Sequence, residues 1–322
     1  MPKPTTLSAP QSTSTIGLVT LTCLVLAFGV WMYLQPDRNR GDGSAVWPAG
    51  EKLPYEAPTV LPGFQPDAWF LPDDALLGFV AIPAGPFQMG GDTTTDSMSF
   101  ENEQWGADQG QGTVELPLFY IGRFEVTVAQ FTAFVEDTGH RVSDEALRSP
   151  PDHPVSAVSW PDALAYCRWL EMVFLESDDT PEPIRRLLGA GGHVTLPSEA
   201  EWEKAARGTD GRVYPWGAEA RTDRANFRSD GTLAVRARAC PECSFGLADM
   251  SGNVWEWTRS PYQPYPFDPT NGLVNLDAEA LWVMRGGSFA DTERNVRTGV
   301  RGGAGPDVRR PFMGFRVAIS PS

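Results

Sequence analysis

The sequence predicts an α+β fold, low in regular secondary structure and preceded by one transmembrane helix. Three observations lead there. Short strand-like runs and helical runs follow one another without a sustained strand–helix–strand alternation, which argues against a doubly wound parallel sheet. Glycine and proline are abundant (32 and 29 of 322 residues) and there are 11 tryptophans, as expected of turns and irregular backbone held by large aromatic side chains. Residues 16–34 form an apolar run without a charge.

That run, from Ile16 to Leu34, spans about 28 Å at the helical rise, enough for a bilayer core. Trp31 and Tyr33 stand at its end, where aromatic side chains favour the headgroup interface. Bulky Trp31-Met32-Tyr33 occupies the place where a cleaved signal peptide carries small residues, so an uncleaved anchor is expected. Residues 1–15 are a short tail. Lys3 before the span and Arg38 and Arg40 after it leave the charge rule undecided on orientation. Residues 35–76 read as a linker kept extended by Pro36, Pro48, Pro54, Pro58, Pro62, Pro66 and Pro72, with Trp69 and Phe70 available to dock. A single globular domain is expected over 77–319.

Within it, Phe79 to Ile82 reads as a strand, followed by a turn at Pro83-Ala84-Gly85, and Leu116 to Ile121 as another strand. Thr127 is placed to cap a helix over 128–137, with Phe131, Phe134 and Val135 on its apolar face. Ser159 caps a second over about 161–174, with Pro161 in its first turn. Ser198-Glu199-Ala200-Glu201 makes a capping box for a third. Beyond Gly208, loops and short strands are expected.

Composition narrows the function. Lys and Arg number 26 against 41 Asp and Glu, a net charge of −15, so nucleic acid is not an expected partner. Four cysteines are too few for a disulfide-built scaffold. Cys240-Pro241-Glu242-Cys243 is a Cys-x-x-Cys pair that reads as a local disulfide or as two quiet thiols. His140, His153 and His193 show no metal-ligand spacing, and His153 reads as structural.

Several segments together carry a resemblance. Ile82-Pro83-Ala84-Gly85-Pro86-Phe87-Gln88-Met89-Gly90, His153-Pro154-Val155, Leu196-Pro197-Ser198-Glu199-Ala200-Glu201-Trp202 and Tyr214-Pro215-Trp216-Gly217 occur in this order. Gly246-Leu247-Ala248-Asp249-Met250-Ser251-Gly252-Asn253-Val254-Trp255-Glu256-Trp257, Arg285-Gly286-Gly287-Ser288-Phe289 and Gly314-Phe315-Arg316-Val317-Ala318 follow. This succession resembles the formylglycine-generating enzyme (sulfatase-modifying factor) family. The resemblance implies a variant C-type-lectin-like fold.

It also implies what is missing. Members that oxidise a sulfatase cysteine bind copper through two cysteines after the Gly-Gly-Ser-aromatic motif, and here Asp291 and Val296 hold those positions. Valine is no metal ligand, so no copper is expected and formylglycine generation by the usual route is not. No catalytic residue is assigned. By the same resemblance Asp249, Gly252, Val254 and Glu256 match a calcium site, with Gly252 and Val254 contributing backbone oxygens. Asn226 and Phe227 match part of a second. All-oxygen ligation suits structural Ca²⁺.

Arg285, Arg294, Arg297, Arg301 and Arg316, with Ser288, fall where relatives hold their substrate peptide, and guanidinium groups there would grip carboxylate or phosphate. The other reading is that these arginines pair with the acidic excess. The functional expectation is a membrane-anchored, calcium-stabilised binding or accessory protein holding a protein, peptide or glycan partner, with its domain on the periplasmic (extracytoplasmic) side. The alternative is an oxidoreductase of unconventional site acting in maturation of an exported enzyme or metabolite.

Overall fold

Capping side chains set three of the helices. Thr127, Ser159 and Ser198 each have extended backbone and accept from an amide three residues on, while the residue at that third position reaches back to the cap. A computed structural model describes residues 71, 74–106, 110–238, 240–266 and 280–321. The expected membrane helix over 16–34 and the docking of Trp69 and Phe70 lie outside them. Among the described residues no helix is long and apolar enough to cross a membrane.

Strands β1 (Phe79–Ile82), β2 (Gly85–Met89), β3 (Gly112–Leu116) and β4 (Phe119–Gly122) come first. Helices α1 (Val128–Thr138), α2 (Trp160–Glu176) and α3 (Glu182–Gly189) follow, then β5 (His193–Thr195) and α4 (Glu199–Arg207). Strands β6 (Trp255–Pro261), β7 (Trp282–Arg285), β8 (Arg301–Ala304), β9 (Met313–Gly314) and β10 (Ala318–Ser320) complete the order. The mixed α+β character is as the sequence predicts.

The strand expected over 116–121 is two strands, because Pro117 offers no amide to a continuous ladder and the chain turns there. Helix α3 is not anticipated by the sequence; its eight residues make little more than about two turns, too short a stretch for periodicity to separate a helix from a loop.

One sheet runs β1-β4-β10-β5, all antiparallel, so the last strand of the chain lies between β4 and β5. A second runs β8-β7-β6-β9, with β6 and β9 parallel. The β2–β3 hairpin stands apart. Helix α4 buries Ala200, Trp202, Ala205 and Ala206 against Ile82, Phe87, Met89, Val114 and Phe119 from the first four strands, with Leu247 and Met250 closing the cluster. Phe131, Phe134, Tyr166, Trp169 and Phe315 make an aromatic knot between α1, α2 and the C-terminal segment. Trp160 stacks on Trp282 with ring centroids 3.9 Å apart. Large aromatics thus do the joining that longer strands do elsewhere. Leu71 packs with Phe124, Ala129 and Val235, so residues just before position 77 contribute to the domain.

Candidate functional site

Strand β7 ends at Arg285 and the chain reverses through Gly286 and Gly287, at φ +91° and +73°. Any side chain at Gly287 would meet the Asn295 carbonyl oxygen at 2.4 Å, so the following segment lies directly on this turn. Asp291 closes it. One of its oxygens, Oδ2, accepts from the Ser288 amide (3.0 Å), the Ser288 hydroxyl (2.7 Å) and Trp255 Nε1 (2.9 Å). The other accepts from Asn295 Nδ2 at 3.0 Å.

Val296 is fully buried among Val213, Tyr214, Ala225 and Phe227. The two positions that the resemblance assigns to copper ligands are therefore a turn-closing carboxylate and a core side chain. Among the described residues the remaining cysteines offer no free thiol at this turn. Cys240 and Cys243 are joined in a disulfide, and Cys167 is buried on α2, where burial pushes its thiol up.

The expected arginine groove is corrected. Arg285, Arg297, Arg301 and Arg316 are buried, as is Ser288 on Asp291; of the six residues only Arg294 is exposed. Arg285 pairs with Glu199 and Glu203 and also donates to the carbonyls of Thr298 (2.7 Å) and Gly299 (3.1 Å). Arg301 grips Glu199 with two bonds of 2.6 and 2.7 Å between the rings of Tyr262 and Tyr265. Arg297 grips Glu103 at 2.6 and 2.8 Å and pairs with Asp96. Arg294 lies 3.9 Å above the Phe100 ring and donates to the Met98 carbonyl.

Burial opposes charge on Arg285, Arg297, Arg301 and Arg316, but the carboxylates beside them outweigh it and hold each protonated more firmly than a free arginine. A guanidinium withdrawn from water needs a carboxylate, and α4 supplies Glu199 and Glu203 one turn apart on a fully buried face. Those acidic partners were missed because a Glu-rich helix start reads as solvated.

From the same helix, between Glu199 and Glu203, Trp202 Nε1 donates to Glu256 Oε2 at 2.6 Å, and Arg316 holds both oxygens of the same carboxylate. Asp249 is close by, with φ +55°, accepting from the Arg236 amide at 2.9 Å. Burial raises it to about 6, against the opposing pull of that amide and of Arg316. Glu125, which the sequence reading passed over, accepts from Asn253 Nδ2 at 2.6 Å and from the Val254 amide at 3.3 Å. Burial, then Asp249 and Glu256, raise it well above the usual carboxylate range. Three buried carboxyl groups thus lie near one guanidinium, and burial favours the neutral form of Glu125 and Asp249 while Arg316 holds Glu256.

Among the described residues no three His, Cys, Asp or Glu side chains are arranged to hold a metal on their own. A calcium ion would need Asp249, a share of Glu256 and the carbonyls of Gly252 and Val254. The Asn226–Phe227 pair fits less well. The Asn226 side chain is already engaged, donating to Gly231 O and Asn253 Oδ1 and accepting from Ser229 Oγ, and from Phe227 the resemblance asks only the backbone carbonyl. Nearby Asp230 is exposed.

The three histidines each meet a side chain of the domain itself. His153 is buried with Nδ1 2.9 Å from Thr232 Oγ1, and His140 and His193 meet Asp162 and Glu171.

Comparisons with known proteins bear on the family and the fold. Residues 72–321 match the model of the sulfatase-modifying factor enzyme 1-like domain. A formylglycine-generating enzyme of Thermomonospora curvata is 29% identical, over 78% of this chain and 96% of that one. The mouse protein named inactive C-alpha-formylglycine-generating enzyme 2 is 35% identical over 54% of this chain, which spans about half (51%) of its length. The solved structure of PvdO from Pseudomonas aeruginosa superposes with a TM-score of 0.61 at 25% identity, covering 75% of this chain and 94% of that one.

Proposed function

Because the chain belongs to the sulfatase-modifying factor family, we propose that it is a member that keeps the fold without the copper chemistry, and works as a binding or accessory protein. One observation carries this reading. The two copper positions hold Asp291, whose oxygens are bonded within the Gly-Gly-Ser turn, and Val296, which fills the core. The mouse relative, named as inactive, offers a precedent for such a member.

The apolar run over 16–34 supports a membrane anchor, and the Cys240–Cys243 disulfide supports an oxidising, extracytoplasmic side. The match of Asp249, Gly252, Val254 and Glu256 to the family's calcium positions, with both carboxyl groups buried, supports a structural calcium ion. With the arginines committed to internal pairs, a peptide, protein or glycan partner would meet the surface around Arg294, Phe100 and half-buried Phe289 rather than an arginine groove.

A second reading, an oxidoreductase with an unconventional site, is favoured by the alignment across 96% of the Thermomonospora enzyme. The deciding experiment is metal content by mass spectrometry on the full chain purified without added metal or chelator. It is paired with oxygen consumption in the presence of a cysteine peptide and a thiol donor. Calcium without copper or iron, and oxygen uptake equal to the protein-free control, is the expected result. Stoichiometric copper or iron with turnover would replace this reading with the second.

A further inference from the structure

Cys240 and Cys243 close a ring of only four residues, with Cα atoms 5.3 Å apart. So short a loop recovers less chain entropy than almost any other disulfide, which makes it a poor staple. The loop is in any case fixed by other means. Arg212 Nη1 donates to the carbonyls of Glu242 (2.6 Å) and Pro215 (2.9 Å), and Arg224 Nε pairs with the Glu242 carboxylate at 2.7 Å. The Ser244 amide bonds Pro215 O at 3.3 Å, and the Gly246 amide bonds the Cys243 carbonyl at 3.2 Å. None of these contacts involves sulfur.

Both cysteines are partly exposed, and Pro241 between them is exposed. An incoming thiolate therefore has access to the S–S bond. Because the clamp on Glu242 holds the backbone in place, the separated thiols would stay opposite one another. Such a pair can open and close without refolding its surroundings.

We propose that Cys240–Cys243 is a thiol–disulfide exchange site that oxidises dithiols. A donor thiolate attacks one sulfur, the Cys240–Cys243 bond breaks, and the released sulfur takes up a proton. The donor's second thiolate then attacks the mixed disulfide and leaves as the donor's own disulfide, while the remaining protein sulfur takes up the second proton. Two electrons pass from donor to protein. A disulfide carrier of the glutathione class restores the pair by the reverse steps.

The test uses the full chain under native conditions. It is treated with dithiothreitol, then with oxidised glutathione after the first reagent is removed, and alkylation with mass spectrometry reads the state of both cysteines at each stage. Complete reduction and full return to the disulfide, with native circular dichroism throughout, is expected. The Cys243→Ser variant should trap a glutathione mixed disulfide on Cys240, or the Cys240→Ser variant on Cys243. A pair that resists excess dithiothreitol until the protein is denatured would overturn the proposal. So would loss of the native spectrum on reduction, which would make the bond a staple.

Discussion

Arg316 and Glu256 form a two-bonded ion pair sealed from water, Nε to Oε2 and Nη2 to Oε1 each at 2.6 Å, with both side chains fully buried. The remaining guanidinium protons reach the carbonyls of Gly122, Arg123 and Ala248, so one side chain ties β4, the loop before β6 and the C-terminal segment together. Removing the cation alone leaves Glu256 buried beside Glu125 and Asp249. Arg316→Met is expected to cost about 3–5 kcal/mol, read as a fall of roughly 10 °C or more in Tm. Adding Glu256→Leu should recover part of that loss, and a double variant no more stable than the single would show that the carboxylate is not the source of the cost.

Asp291 is expected to hold the turn rather than to take part in chemistry. Asp291→Ala leaves the Ser288 amide and hydroxyl, Trp255 Nε1 and Asn295 Nδ2 without their acceptor. A loss of about 1–3 kcal/mol is expected for the buried donors, seen in urea unfolding. Asp291→Cys should lose as much, so restoring a cysteine at that position alone carries a stability cost; a neutral Asp291→Cys would contradict this account.

Calcium should stabilise the domain through Asp249. A hundredfold excess over Kd contributes about 2.7 kcal/mol, or roughly 5–10 °C in Tm for a domain of this size. Asp249→Ala is expected to abolish the calcium-induced rise, whereas Asn226→Ala should leave it in place. A rise that survives Asp249→Ala would move the site elsewhere.

His153 gives a pH signature of known sign. Burial lowers its value below the ordinary 6.5, with Asp152 opposing more weakly. The folded state therefore binds fewer protons than the unfolded chain below that pH, and the stability this histidine contributes as a neutral ring falls as pH drops from about 6.5 toward its lowered folded value. The Tm difference between the wild-type chain and His153→Gln should be larger at pH 8 than at pH 5. An equal or growing difference at pH 5 would reverse the assignment.

Much of the fold was legible because its signals are local. Thr127, Ser159 and Ser198 announce their helices through bonds to a residue three positions on, and a four-residue window is enough to see them. The missing copper cysteines were equally plain, since identity at positions 291 and 296 is a property of the chain alone. Helix α3 and the break at Pro117 were harder, being short elements whose bounds depend on what packs against them.

The arginines mark where the sequence ran out. Composition showed an acidic chain with basic residues gathered near its end, and left open whether they face a ligand or the acidic excess. Nothing in the local sequence of Arg297 points to Glu103, 194 positions away, or in that of Arg301 to Glu199, 102 away. Only the tertiary structure brings α4 under β7 and β8 and so decides that these guanidinium groups are interior ties. The physical reason is that a cap or a substituted ligand is fixed by neighbours in the chain. The partner of a buried charge is fixed by desolvation, which acts on whatever the fold brings into contact.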